Sequence, residues 1–259
     1  MNRMQRNQAG QSPRRFNSVT TAYNINLIQL RNPWVVAWWS ASFPGFGHLH
    51  LGYYTKGFIL IAWEFLINSQ VNLNEAMVYS FNGRFDAAKQ ALNPRWMLLY
   101  IPIYCYSIWD SYRKTIDLNK HCLLAEDEYA PIKLFKMNGI AMNLLEQRSP
   151  RRSLIWSLLF PGLGHLYLQR LISGVFITAS CVIISYYSHL AEAVTYILMG
   201  SLEHACLVLD AEWFSYFPSM YGFAAYEAYV LAVDQNKLYE RELLQYLERE
   251  VQPRHYELL

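Results

Sequence analysis

Apolar and polar positions fall in long blocks along this chain, not in short alternation. Pro33–Gly52 carries no charge and Gly57–Val71 carries one. A milder stretch, Asn72–Pro94, leads to a third apolar block, Trp96–Tyr112. The same succession returns as Pro150–Gln169, Gly174–Ser188, His189–Glu212 and Trp213–Tyr229. Blocks of this length predict helices, and some approach the roughly 20 residues that cross a bilayer. The first block of each set is interrupted by Pro-Gly-x-Gly, which removes a helical donor and loosens the backbone. The milder stretch reads as an amphipathic helix lying on the membrane surface.

The recurrence is a tandem duplication. Sliding the chain against itself by 117 residues aligns it without a gap. Phe43-Pro44-Gly45-Phe46-Gly47-His48-Leu49 meets Phe160-Pro161-Gly162-Leu163-Gly164-His165-Leu166. Trp39 meets Trp156, Gly57 meets Gly174, Tyr104 meets Tyr221, and Asp117, Asn119 and Lys120 meet Asp234, Asn236 and Lys237. From Asn26 to Lys120, 29 of 95 positions are identical, where random pairing gives about six. The expected organisation is a basic arm 1–21, a repeat 22–121, a linker 122–138, a repeat 139–238 and a charged amphipathic tail 239–259.

Composition points to a membrane. Hydrophobic residues make up 53% of the 259, aromatics 16% and charged residues 16%, against about 25% charged in a soluble domain. The mean hydropathy of +0.03 averages the apolar blocks with polar ends. This composition rules out disorder. Four cysteines without framework spacing rule out a disulfide scaffold. A net charge of +2 rules out a strongly basic nucleic-acid binder. Arg3, Arg6, Arg14, Arg15 and Arg31 precede the first acid, Glu64. A polar, basic start of this kind is not a cleavable signal and reads as a cytoplasmic arm. If all six blocks span, the linker lies outside with its many basic residues. If each half crosses twice and the broken first block is re-entrant, most of the 22 Lys and Arg lie inside, as the positive-inside rule prefers. A rival pairs blocks one and two as the hairpin and leaves block three at the interface, and charge does not separate the two. The re-entrant version is preferred because Trp34–Phe43 makes only about 15 Å of helix. The expected fold is therefore all-α: a polytopic integral membrane protein of two pseudo-symmetric repeats. Each has a broken re-entrant helix, a helical hairpin and an interfacial helix. Termini and linker are expected in the cytoplasm and the protein in the cell's inner membrane.

Ser-x-x-Phe-Pro-Gly-x-Gly-His-Leu-x-Leu-Gly, followed by Lys-Gly-Phe-Ile-Leu-Ile, resembles small bacterial membrane families with a Pro-Gly-x-Gly-(His/Gln)-x-Tyr-x-Gly loop between two apolar helices. Those are similar to two-helix transmembrane domains with an aromatic-Gly loop. The first copy has His50 for the Tyr, and the second has Gln169 for the last Gly. The resemblance covers roughly 35 residues per half; it implies membrane placement and little about activity.

Candidate chemistry is sparse. Pro44, Gly45, Gly47 and their counterparts Pro161, Gly162 and Gly164 permit close backbone approach, and the adjoining His48 and His165 can cap a broken helix end. A sharper alternative joins the two histidines across a pseudo-twofold axis to hold a haem iron or a copper. Asp110 and Glu227 are equivalent acids in the third block, and intramembrane acids are functional candidates. Arg113 and Lys114 stand three and four residues from Asp110, while Glu227 has no such neighbour on its helix. Glu64 is matched by Cys181 and so is not shared. Leu243, Leu247 and Val251 suggest an amphipathic tail helix that docks on its own bundle or on a partner. Two function classes follow: a non-enzymatic membrane scaffold or assembly subunit, contacting lipid and other membrane proteins, or a small transporter with a site between the repeats. A polar cavity between the halves speaks for transport and a solid apolar contact for a scaffold.

Overall fold

The computed structural model describes residues 18–21, 25–127, 132, 135–137 and 142–247. Most of the basic arm, Lys133 with much of the linker, and the end of the tail with Val251 lie outside the described residues. The chain is mostly helical, as its block pattern implies.

Every element of the first half recurs 117 residues later. A hairpin of β1 (Ser18–Thr20) and β2 (Ile25–Leu27) matches one of β3 (Phe135–Met137) and β4 (Met142–Leu144). Then come α1 (Pro33–Ser42), α2 (Phe46–His50), α3 (Tyr54–Val71), α4 (Leu73–Phe81), α5 (Phe85–Ala91) and α6 (Pro94–Asp127). Their counterparts are α7 (Pro150–Leu159), α8 (Leu163–Tyr167), α9 (Leu171–Tyr187), α10 (Leu190–Leu198), α11 (Leu202–Val208), and α12 (Ala211–Phe214) with α13 (Tyr216–Tyr246). The hairpins are not visible in the block pattern, because three-residue strands are too short to show alternation. They carry the duplication back to Ser18 and Phe135, ahead of the boundaries that the identities suggest.

Local chemistry repeats with the elements. Asn32 and Ser149 cap α1 and α7 through their side chains, and Pro33 and Pro150 occupy the first helical turn, where a missing N–H costs nothing. Each long third helix differs in one respect. Pro218 denies a donor to the turn before it, and the helix breaks at Ser215 into α12 and α13. In α6 the proline stands one register later, at Pro102, within a continuous helix.

Two contacts close each repeat. The Arg31 N–H donates to Asn119 Oδ1 at 2.9 Å, and Asn119 Nδ2 donates back to the Arg31 carbonyl at 2.8 Å. Arg148 and Asn236 repeat this clasp at 2.8 and 2.9 Å. Higher up, Tyr104 donates to the Ala41 carbonyl and Tyr221 to the Leu158 carbonyl, tying α1 to α6 and α7 to α13.

The core lies on the seam between the repeats. Phe43, Phe46, Leu49 and Ile61 from the first meet Ile177, Ile184, Tyr216, Met220 and Phe223 from the second. Phe46 stacks on Phe223 at 4.2 Å, and Phe58 meets Phe176 at 4.1 Å. Many of the remaining large apolar side chains, among them Trp34, Trp38, Leu66, Phe81, Leu98, Leu159, Val175, Leu198 and Leu207, face outward. Ser40, His48, Asp110, Ser157, His165 and Glu227 are buried. Among the described residues, no single helix is long and apolar enough to cross a membrane. One pair, α9 with α10, meets both conditions together and is bent by 63°. The other blocks fall short because polar groups interrupt them: Lys56, Glu64 and Asn68 in α3, Ser107 and Asp110 in α6.

Candidate functional site

The Pro-Gly-x-Gly turn positions the site. After Phe43 and Phe160 leave the helix in extended conformation, Gly45 and Gly162 adopt φ of +102° and +100°. Side chains rarely adopt that region, and there is no room for one. A Cβ at Gly45 would lie 2.5 Å from the Gly57 carbonyl and 2.8 Å from Ile61; one at Gly162 would lie 2.7 Å from the Gly174 carbonyl and strike Thr178. Thus the turn presses against α3 in the first repeat and α9 in the second. Pro44 and Pro161 are buried in it. Gly47 and Gly164 let α2 and α8 sit on α1 and α7: a Cβ at Gly47 would strike Ser40 and lie 2.6 Å from the Val36 carbonyl, and one at Gly164 would strike Ser157 and the Ser153 carbonyl.

This packing turns the first histidine of each short helix inward. His48 Nε2 donates to Asp110 at 3.0 Å, and His165 Nε2 donates to Glu227 at 3.2 Å. All four side chains are buried. The two histidines and two acids expected from the sequence are thus brought together, but in a different pairing. Histidine meets acid within a repeat, across 62 residues. The imidazoles do not cap a helix end, and each directs Nε2 to its own repeat's carboxylate, not to an ion shared between them. Asp110 does not turn to Arg113 or Lys114 but to Lys56, at 2.5 Å, and Glu227 has a partner after all. Among the described residues, no group of three or more His, Cys, Asp or Glu is arranged to hold a metal ion.

The two pairs differ in charge. Lys56 also donates to Tyr106 at 2.7 Å and lies over its ring, so Asp110 sits between a cation and an imidazole. The position equivalent to Lys56 is Ser173, buried with an unpartnered hydroxyl, and among the described residues Glu227 has only His165. Lys56 was not singled out from the sequence, although a lone cation beside the motif, in an otherwise uncharged stretch, is a readable signal.

Glu64 was set aside because its counterpart is Cys181, yet it is buried and hydrogen-bonded. Asn68 Nδ2 donates to it at 2.8 Å and Tyr100 at 3.1 Å. These groups line a cavity of about 410 Å³ that also touches Asn74, Ser215 and Tyr216, and so lies at one end of the inter-repeat seam. Beside it Glu212 accepts from the Glu75 N–H at 2.7 Å, at the start of α4. Burial is the main cause that raises its carboxyl to about 7, with Asp210 and Glu75 adding like charge. No protein-family model, no curated protein and no solved structure matches the chain.

Proposed function

We propose that the protein is a non-enzymatic scaffold or assembly subunit embedded in a bacterial inner membrane, with its termini and linker in the cytoplasm. The observation that carries this reading is the inside-out distribution of side chains. Large apolar groups face outward in quantity, while His48, Asp110, His165 and Glu227 are buried and paired. In water such a surface is costly, and in lipid it is the stable arrangement. The resemblance of the loop motif to small bacterial membrane families supports the same placement. Scaffold is favoured over pore by the seam: stacked Phe46 and Phe223, with Phe58 and Phe176, leave the middle of the inter-repeat contact apolar. Each half then crosses twice, with α1 and α2 re-entrant and α4 and α5, or α10 and α11, at the far interface.

The test is a cysteine-accessibility experiment in a cysteine-free background, combined with alkaline extraction. Lys120→Cys should react with an impermeant maleimide only after cells are opened, and the protein should stay in the carbonate-washed membrane. Release by carbonate, or labelling of intact cells, overturns the reading.

One observation favours transport as a second reading: the polar cavity at Glu64, built with residues of both repeats. Proteoliposomes distinguish the two. Proton or cation flux that disappears in a folded Glu64→Gln or Glu227→Gln protein replaces the scaffold by a transporter.

A further inference from the structure

At the opposite end of α3 from Glu64 lies a second cavity, of about 260 Å³, between the repeats. Arg170 enters it from the second repeat and His50 and Tyr54 from the first. Arg170 is 2% exposed and His50 3%. The guanidinium has one protein contact among the described residues, Nη1 to the Tyr54 hydroxyl at 3.5 Å; its Nε and Nη2 have none, and neither ring nitrogen of His50 is hydrogen-bonded. Arg31, the other cation lining the cavity, is already committed to Asp234 at 2.6 Å. Among the described residues, Arg170 has no acid within ion-pair distance.

We propose that this cavity binds a phosphate-type oxyanion. Water can satisfy unpaired N–H groups, but it cannot offset the charge of a buried guanidinium, whose isolation costs several kcal/mol. An oxyanion does both. Arg170 supplies a fork of donors, the geometry that suits phosphate. The Tyr54 hydroxyl accepts from Arg170 and keeps its own proton to donate, and His50 adds an N–H. The site is built for one junction only, because the residue equivalent to Arg170 is Tyr53 and that equivalent to His50 is Tyr167. The backbone fixes the arginine's root: its N–H is held by the His165 carbonyl at 2.9 Å.

The oxyanion is either the phosphate of a lipid headgroup or a free phosphate; the lipid source alone rests on the membrane placement proposed above. Full-length protein, stripped of lipid in mild detergent, is melted with inorganic phosphate against chloride at equal ionic strength, and separately with short-chain phosphatidylglycerol. One of the two should raise the midpoint by roughly 5 °C at a hundredfold excess over Kd. Arg170→Gln should weaken that response roughly 10- to 100-fold, and His50→Asn should reduce it. If Arg170→Gln does not fold, Arg170→Lys, which keeps the charge and loses the fork, should show a partial response. A response to phosphate alone identifies a soluble anion, and one to lipid alone a headgroup. A wild type indifferent to both, or variants that respond as the wild type does, overturn the site.

A different observation carries a second inference. The seam is not two-fold symmetric. Trp39 of the first repeat packs on Phe223 and Tyr226 of the second, and Arg31 pairs with Asp234. The reciprocal contacts are missing: Trp156 is 46% exposed, Tyr106 44% and Trp109 53%. Asp117, equivalent to Asp234, is exposed and makes no ion pair among the described residues. One repeat thus offers a donor face and the other an acceptor face to the seam, and one face of each kind remains outside it, where Arg148 holds Glu146 at 2.8 Å and Lys56 lies over the Tyr106 ring. This is a head-to-tail interface, which makes a ring where its rotation closes and an open ladder where it does not.

We infer that a second copy of this chain covers both unused faces, repeating the internal contact. Trp156 of one copy then seats on Tyr106 and Trp109 of the other, and Arg148 exchanges its exposed partner Glu146 for Asp117, in a closed ring of four repeats. Lipid against these faces would leave Asp117 without the counter-charge that Arg148 can supply. Light scattering in detergent should give a protein mass of twice 30.4 kDa. Arg148→Asp or Asp117→Arg alone should lower the fraction of paired chains at least tenfold, and the double exchange should restore it. A monomer or an open ladder in the wild type, or a double variant no better than the singles, overturns the inference.

Discussion

The two repeats share a backbone and differ in what that backbone holds. In the first, Asp110 is clamped between His48 and Lys56; in the second, Glu227 has His165 alone and a serine where the cation stood. The turn geometry agrees within a few degrees, φ of +102° against +100°. The difference shows that the Pro-Gly-x-Gly turn and the histidine–acid pair belong to the architecture, while the surrounding charge was free to change. The longer acid stands in the repeat that has no lysine at that position.

The largest effect should come from the feature the repeats share. Gly45→Ala and Gly162→Ala each combine a strained φ with a backbone clash and should each cost about 3 kcal/mol or more, read as denaturant midpoints in detergent. A mild effect in one repeat alone would break the equivalence. Next comes the acid. Asp110→Asn leaves Lys56 without its counter-charge; because the lysine is partly exposed, the cost should be about 1–2 kcal/mol. Glu227→Gln keeps a hydrogen bond to His165 and removes no ion pair with a fixed cation, so it should cost less than about 1 kcal/mol. Equal costs would mean that the lysine contributes nothing. The clasps should be equal: Asn119→Ala and Asn236→Ala each lose two hydrogen bonds and should cost about 1–2 kcal/mol.

A last effect, confined to pH, concerns Glu212, for which the first repeat has Arg95. Its carboxyl is raised to about 7 in the folded protein, from an unfolded value near the ordinary 4.5. The folded state therefore binds the proton more tightly, and stability falls as pH rises from about 4.5 through 7. Glu212→Gln should flatten that part of the stability profile. An unchanged slope would remove Glu212 as its source.

Duplication, the broken helix and the identity of the four paired residues were all legible in the sequence, because an ungapped offset of 117 residues marks equivalent positions directly. Pairing was not. His48 and Asp110 are 62 residues apart, and only the angle at which α2 lies on α6 brings them together. Helical spacing along one segment pointed to Arg113 and Lys114, but these lie over the rings of Trp109 and Tyr53 instead. Glu64 and Lys56 were passed over because they are not duplicated; equivalence finds what the repeats share and is blind to what each acquired alone. The same blindness covers Arg170.

The reciprocal clasps of Arg31 with Asn119 and Arg148 with Asn236 bring the two ends of each repeat into contact across 88 residues. A unit whose ends meet can be copied head to tail within a gene without rebuilding its interior, since the join falls outside what holds it together. It follows that the polypeptide tolerates being cut where the copies were joined. Two fragments divided in the linker and produced in the same cell should find each other and rebuild the seam.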